Sequence, residues 1–205
     1  SHFTFRELQR HEPRRRGRAT VLPIPVSAVF TPDGPETLAG FQLDRFFLAV
    51  LSDDPRKNIL FLEQLQPLLP APLVVVGEVA PKLKDAVHLG AVKDETLAIL
   101  YRRAEALLFP SLYEGYGLPP LEAAACGCPA IVARTSSLPE VMGADYPGLQ
   151  PLALDDWERE AANIFEDPGV RQEYVDAGFR AAGRVTPARA LEMVERFLDE
   201  ATRAR

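Results

Sequence analysis

The sequence is short of histidine, cysteine and positive charge, and each shortage removes a class of function. From three scattered histidines no Ser/His/Asp or Cys/His triad can be assembled, and no cluster of metal-ligating residues is visible. The only cysteines, Cys126 and Cys128, flank a single glycine, a spacing that suits neither a C-x-x-C redox or zinc site nor a disulfide. They read as buried free thiols of a reducing compartment. With 23 Lys and Arg against 29 Asp and Glu, the net charge is -6, whereas a nucleic-acid binder is expected to be basic. No apolar run approaches the roughly 18 residues of a membrane span, and no secretory leader is legible, so the expected setting is cytoplasmic. Internal repeats and low-complexity tracts are missing too. What remains is the composition of an ordinary globular protein, 47% hydrophobic and 25% charged over 205 residues, enough for one domain and a piece of another. Nineteen prolines gather at element boundaries, which points to short connections between elements.

The stretch that organises the chain runs from Leu107 to Pro129, L-L-F-P-S-L-Y-E-G-Y-G-L-P-P-L-E-A-A-A-C-G-C-P. An apolar run, Ala106 to Phe109, ends in Pro110 and Ser111 and passes a loop spaced by Gly115 and Gly117. It then enters a helix announced by Pro119 and Pro120, since proline is tolerated only in a helix's first turn. Strand, glycine loop and helix start together make an anion site, because first-turn N–H groups and the positive end of the helix dipole face the loop. Two glutamates, Glu114 and Glu122, add a second requirement. Carboxylates repel phosphate, but as acceptors they suit hydroxyl-rich groups such as ribose and hexose.

These residues, with Ser136-Ser137-Leu138-Pro139-Glu140-Val141 after them, resemble the donor-binding motif of family 4 retaining glycosyltransferases of the GT-B fold. The resemblance implies that Glu114 lies by the transferred sugar, that the amides around Gly115, Tyr116, Gly117 and Leu118 hold a diphosphate, and that Glu122 binds ribose. Glu140 is expected either to orient the loop over the donor or to cap a helix. A second donor motif of the family resembles the segment Ser52 to Asn58, where Lys57 takes the place of the diphosphate-binding lysine. Many members carry an arginine where this sequence has Ser52, and Arg56 stands nearby as a substitute. The backbone at Ala91 and Val92, after His88-Leu89-Gly90, takes the place of the family's base-binding groups.

The rest of the chain agrees with an α/β reading. Continuous apolar runs at Arg45–Leu51, Pro72–Glu78, Ala86–Gly90, Ala106–Phe109 and Ala130–Ala133 read as strands buried on both faces, alternating with helical patterns. That predicts a Rossmann-like three-layer domain: a parallel sheet flanked by helices, the C-terminal half of a GT-B fold, followed by C-terminal helices. A strand is also expected over Ala19–Val29, a capping box at Asp155 and Glu158, and helix starts capped by Ser1 or Thr4 and by Asp94. The resemblance implies a division into 1–40 (remnant of an N-terminal acceptor domain and linker), 41–185 (donor nucleotide-sugar-binding domain) and 186–205 (a crossover helix). On this reading the chain is a fragment of a retaining hexosyltransferase, mannosyltransferase-like and of cell-surface polysaccharide biosynthesis, inactive alone. Its partners would be a nucleoside diphosphate sugar, the acceptor-binding domain of the same enzyme and, through the Arg14–Arg18 cluster, a membrane surface or lipid-linked acceptor; neither a metal nor another cofactor is required. The alternative is a non-catalytic nucleotide-sugar-binding subunit or pseudoenzyme. A sugar-nucleotide epimerase is disfavoured by the paired glutamates.

Overall fold

A computed structural model of the chain describes residues 1–12, 19–78 and 83–203. Its centre is a six-stranded sheet, β1 (Phe47–Val50), β2 (Leu73–Val76), β3 (Val87–Gly90), β4 (Ala106–Phe109), β5 (Ala130–Ala133) and β6 (Leu149–Gln150), in the order β3-β2-β1-β4-β5-β6. Every pairing is parallel, with Phe47 opposite both Leu73 and Ala106. Such a sheet must be covered on both faces, which is why β2, β4 and β5 are apolar and buried at each position. The edge strand β3 departs from that expectation: Val87 and His88 are exposed, and His88 Nε2 lies 2.8 Å from the Leu83 carbonyl.

Eight α-helices accompany the sheet among the described residues: α1 (His2–His11), α2 (Ile59–Leu65), α3 (Asp94–Arg103), α4 (Leu118–Ala125), α5 (Leu138–Met142), α6 (Leu154–Glu166), α7 (Pro168–Ala182) and α8 (Pro187–Arg203). The chain steps from β1 outward through β2 and β3, then returns to the other side of β1 for β4, β5 and β6. Right-handed crossovers therefore place α2 on one face and α3 and α4 on the other. Accordingly α2 packs against α6, and α4 against α3, α5 and α7. Trp157, Tyr101, Phe46, Phe47 and Phe109 fill the layers and are fully buried. No helix of the described residues is long and apolar enough to cross a membrane.

Three expectations need correction. Residues 19–29 carry no strand. Pro23 and Pro25 each remove a ladder donor, so the apolar run lies against the domain without joining the sheet. The Asp155–Glu158 capping box is not formed: α6 starts at Leu154 behind Ala153 with no side-chain cap, and Asp155 and Asp156 sit in the first turn where the dipole favours them. Asp94 is likewise the first residue of α3 and not its cap. Ser1 does cap α1, accepting from Thr4 N–H. The linker-like segment Thr31–Gly40 is tied down by Arg102, whose guanidinium donates to the Thr31 and Pro35 carbonyls at 2.8–3.0 Å. The cluster Arg14–Arg18 lies outside the described residues.

Candidate functional site

In an open parallel sheet, ligands bind beyond the carboxyl ends of the strands where the strand order reverses. Here that point lies between β1 and β4, so the loops after Val50 and Phe109 are its walls. The first loop folds as a 3-10 turn, Pro55–Lys57, capped by Asp54, and hands over to α2 at Asn58, which takes a left-handed conformation at φ 55°. Asn58 then reaches across to the second loop, its Nδ2 donating to the Pro110 carbonyl at 3.2 Å, while Leu112 N–H donates to the Arg56 carbonyl at 2.8 Å.

These two crosslinks bring Lys57 to Glu114. Lys57 Nζ donates to Glu114 Oε1 at 2.7 Å, with 20% and 15% of the two side chains exposed, and it sits 5.0 Å from the centre of the Phe109 ring. The diphosphate and sugar residues expected from sequence are thus in direct contact. Arg56, the candidate for the arginine missing at Ser52, is exposed and turned onto Asp54, which it holds at a pKa of about 2. Ser52 is exposed just after β1, and Ala91 and Val92 follow β3 on the same edge of the sheet.

The glycine loop is held from its carbonyl side. Ser137, fully buried, donates from one hydroxyl to the carbonyls of Glu114 and Tyr116, both at 2.9 Å, and Ser136 Oγ accepts Glu114 N–H at 2.8 Å. The Gly115 carbonyl accepts from Ser1 Oγ and Thr4 Oγ1, each at 2.7 Å. Gly117 has to be glycine, because its φ is +95° and a Cβ there would stand 2.5 Å from Leu138 Cδ2. It leads into α4 with no side-chain cap, and among the described residues no partner occupies the N–H groups of Gly115, Tyr116, Gly117 or Leu118. Ser111 Oγ, buried where β4 leaves the sheet, is the one buried side-chain oxygen without a hydrogen-bond partner among the described residues.

Glu122 stands one turn into α4. It accepts from Tyr101 of α3 at 3.3 Å, and burial raises its pKa despite that bond. Sequence reasoning missed the hydroxyls that build this site. Ser136 and Ser137 were legible only as part of a family pattern, and nothing in the spacing of Ser1 and Thr4 announces a contact with a glycine more than a hundred residues away. Cys126 and Cys128 are buried and free, their thiols pushed up to about 11 and about 12 by burial, which leaves them protonated and inert. A cavity of about 330 Å³ opens behind the loop, between α1, Tyr116, Glu140 and α8; neither Lys57 nor Glu114 lines it. No group of three or more His, Cys, Asp or Glu side chains suited to a metal ion occurs among the described residues.

Known proteins resemble this chain in sequence and in fold. The family model described as glycosyl transferases group 1 matches residues 73–180. The serotype-specific mannosyltransferase WbdA of Escherichia coli is 32% identical over 151 residues; the match takes in 63% of this chain and 18% of that relative, a small part of its length. Sucrose-phosphate synthase of Thermosynechococcus elongatus superposes with a TM-score of 0.79 at 22% identity, over 97% of this chain and 57% of that one. HepE of Anabaena, solved in complex with UDP and glucose, superposes with a TM-score of 0.63 at 17% identity, over 76% of this chain and 48% of its own.

Proposed function

Because this chain belongs to the glycosyl transferases group 1 family, we propose that it is the donor-binding part of a retaining, family 4 hexosyltransferase that moves a sugar from a nucleoside diphosphate to an acceptor hydroxyl. The observation that carries this reading is the meeting of Lys57 and Glu114 at the β1–β4 switch point, 2.7 Å apart, beside a loop of unpartnered amides. A cation and free N–H groups suit a diphosphate, and a carboxylate suits the hydroxyls of a hexose.

The anomeric carbon–oxygen bond to the diphosphate breaks, and its electron pair leaves with the diphosphate oxygen. Lys57, the amides of Gly115 to Leu118 and the start of α4 neutralise that charge as it develops, which is the largest contribution such a site can make. Glu114 orients the sugar, and Glu122 takes the ribose hydroxyls. The backbone at Ala91 and Val92 faces the base, with Ser52 at the rim. The acceptor hydroxyl, presented by an acceptor-binding domain, bonds to the same face of the anomeric carbon and gives up its proton to the departing diphosphate. These protein groups supply the compensating charge, so no divalent metal is needed. The mannosyltransferase named among the relatives favours mannose as the sugar, and the UDP complex of a structural neighbour supports a nucleotide in this crevice.

The test is isothermal calorimetry of the chain with UDP, GDP, ADP and their hexose conjugates, in EDTA and then in magnesium. Binding of one nucleoside diphosphate in EDTA, lost in Lys57→Ala, is the expected result. No binding at millimolar concentration, or binding only with magnesium, would overturn the reading.

A further inference from the structure

The loop that would receive the diphosphate is shaped by a helix from the other end of the sequence. Glu140, on α5, accepts two backbone N–H groups of the first turn of α1: Oε1 from His2 at 2.7 Å and Oε2 from Phe3 at 3.0 Å. Both bonds are charge-assisted, and the carboxylate stands at the positive end of the α1 dipole. The ring of Phe3 meets Tyr113 edge-on at 5.3 Å, seating the same turn on the loop. So anchored, α1 delivers the hydroxyls of Ser1 and Thr4 to the Gly115 carbonyl.

The consequence follows from peptide planarity. In a trans peptide the carbonyl and the N–H of the next residue point in opposite directions, so a carbonyl held from one side aims its amide to the other. Ser137 fixes the planes on either side of this one, at Glu114 and Tyr116. The middle plane, with the Gly115 carbonyl and the Tyr116 amide, is held by α1. Gly115 has no side chain to resist a peptide flip, and a Cβ there would meet only Thr4 Oγ1, at 3.7 Å.

We propose that Glu140 and the first turn of α1 form a latch on the donor loop, with Glu140 and Thr4 as positioning residues that aim the Tyr116 amide at the diphosphate. This rests on the reading of the loop amides as the phosphate cradle. Release of α1 leaves the Gly115 plane free to turn and withdraws one donor from the phosphate, without touching Lys57, Glu122 or the sheet.

The experiment compares the full chain with Thr4→Val, Thr4→Ser and Glu140→Ala. Each is titrated with the tightest binder among UDP, GDP and ADP by calorimetry, and with the matching nucleoside by NMR. Thr4 is exposed, so valine there threatens no core contact. Glu140→Ala, which releases the turn with both its hydroxyls, is expected to weaken the diphosphate roughly tenfold, the loss of one hydrogen bond to a charged group, and Thr4→Val, which leaves Ser1 Oγ on the same carbonyl, to weaken it less; both leave nucleoside affinity unchanged. Thr4→Ser, which keeps the hydroxyl, is expected to retain wild-type binding. Equal diphosphate affinity in all four proteins would overturn the latch and leave the proposed function standing; equal losses for diphosphate and nucleoside would overturn it as a general disturbance. If the unaltered chain binds no nucleoside diphosphate, the proposed function falls and the latch with it.

Discussion

Replacing Glu114 with glutamine should change two affinities in opposite directions. Without ligand, Lys57 is spoken for: its ammonium lies 2.7 Å from Glu114 Oε1, with only 20% and 15% of the side chains exposed. A diphosphate that takes up Lys57 comes within ~5 Å of the Glu114 carboxylate, where two unit charges at an effective dielectric of about 20 repel by on the order of 3 kcal/mol. Much of that is offset, because the pair also holds Lys57 in place and water screens an open crevice. A net gain of about 1 kcal/mol remains for the neutral isostere, so Glu114→Gln is expected to bind the bare nucleoside diphosphate about fivefold more tightly. The sugar conjugate behaves differently, since glutamine keeps one neutral acceptor oxygen for its hydroxyls and turns the other, charge-assisted one into a donor. Losing a hydrogen bond to a charged partner costs about 1.5 to 3 kcal/mol, so the preference for conjugate over bare nucleotide should fall roughly tenfold to a hundredfold. Calorimetry of both ligands with both proteins decides the matter. Parallel shifts, up or down, for the two ligands would refute the assignment of Glu114 to the sugar.

Four further outcomes are open to measurement. Burial favours the protonated form of Glu122, so its contribution to stability declines as pH rises from the ordinary carboxylate range through its raised pKa. Over that same window nucleotide affinity should climb, because the ionised group is the acceptor for ribose; Glu122→Gln should bind more weakly and flatten the profile in a pH series of titrations. Gly117→Ala combines a left-handed backbone with a 2.5 Å approach to Leu138 and should lower stability by about 2 to 3 kcal/mol in thermal or urea unfolding. An unchanged melting temperature would contradict the geometry. Ser111→Ala removes a buried hydroxyl that has no partner, so it should be neutral or stabilising by up to about 1 kcal/mol; clear destabilisation would mean the hydroxyl is satisfied. Finally, EDTA should leave diphosphate binding unaltered.

The core of this architecture was legible because it is written in contiguous residues. Ala106–Phe109 and Ala130–Ala133 are short apolar runs bounded by turn residues, and the structure places strands on those same residues. The two prolines after Leu118 announced α4 through the backbone chemistry of a helix's first turn. The run from Ala19 misled because its hydrophobicity resembles a strand's, while Pro23 and Pro25 forbid the ladder. In the site, Lys57 and Glu114 could be named separately, but their ion pair depends on β1 and β4 being neighbours, a fact of topology and not of spacing. Arg56 could be named as a candidate cation, but its orientation depends on Asp54, two residues back, which takes its guanidinium. The hydroxyls of Ser1, Thr4 and Ser137 act over long separations on backbone carbonyls, which carry no sequence signature at all.

The adjacency of β1 and β4 gives the crevice a mechanical role as well. The strands β1, β2 and β3 belong to one stretch of chain, residues 47–90, and β4, β5 and β6 to another, residues 106–150; in the sheet the two meet only along the β1–β4 seam. Lys57 stands on one side of that seam, Glu114 and the glycine loop on the other. On the proposed reading a diphosphate would join the two stretches across that seam, and the stability it adds, about 2.7 kcal/mol at a hundredfold excess over the dissociation constant, is felt as resistance to their separation. Amide exchange should slow in β1 and β4 together when nucleotide is added, while the edge strands β3 and β6 exchange much as before. Protection gained by one unit alone would mean that the ligand rests on that side and does not join the halves.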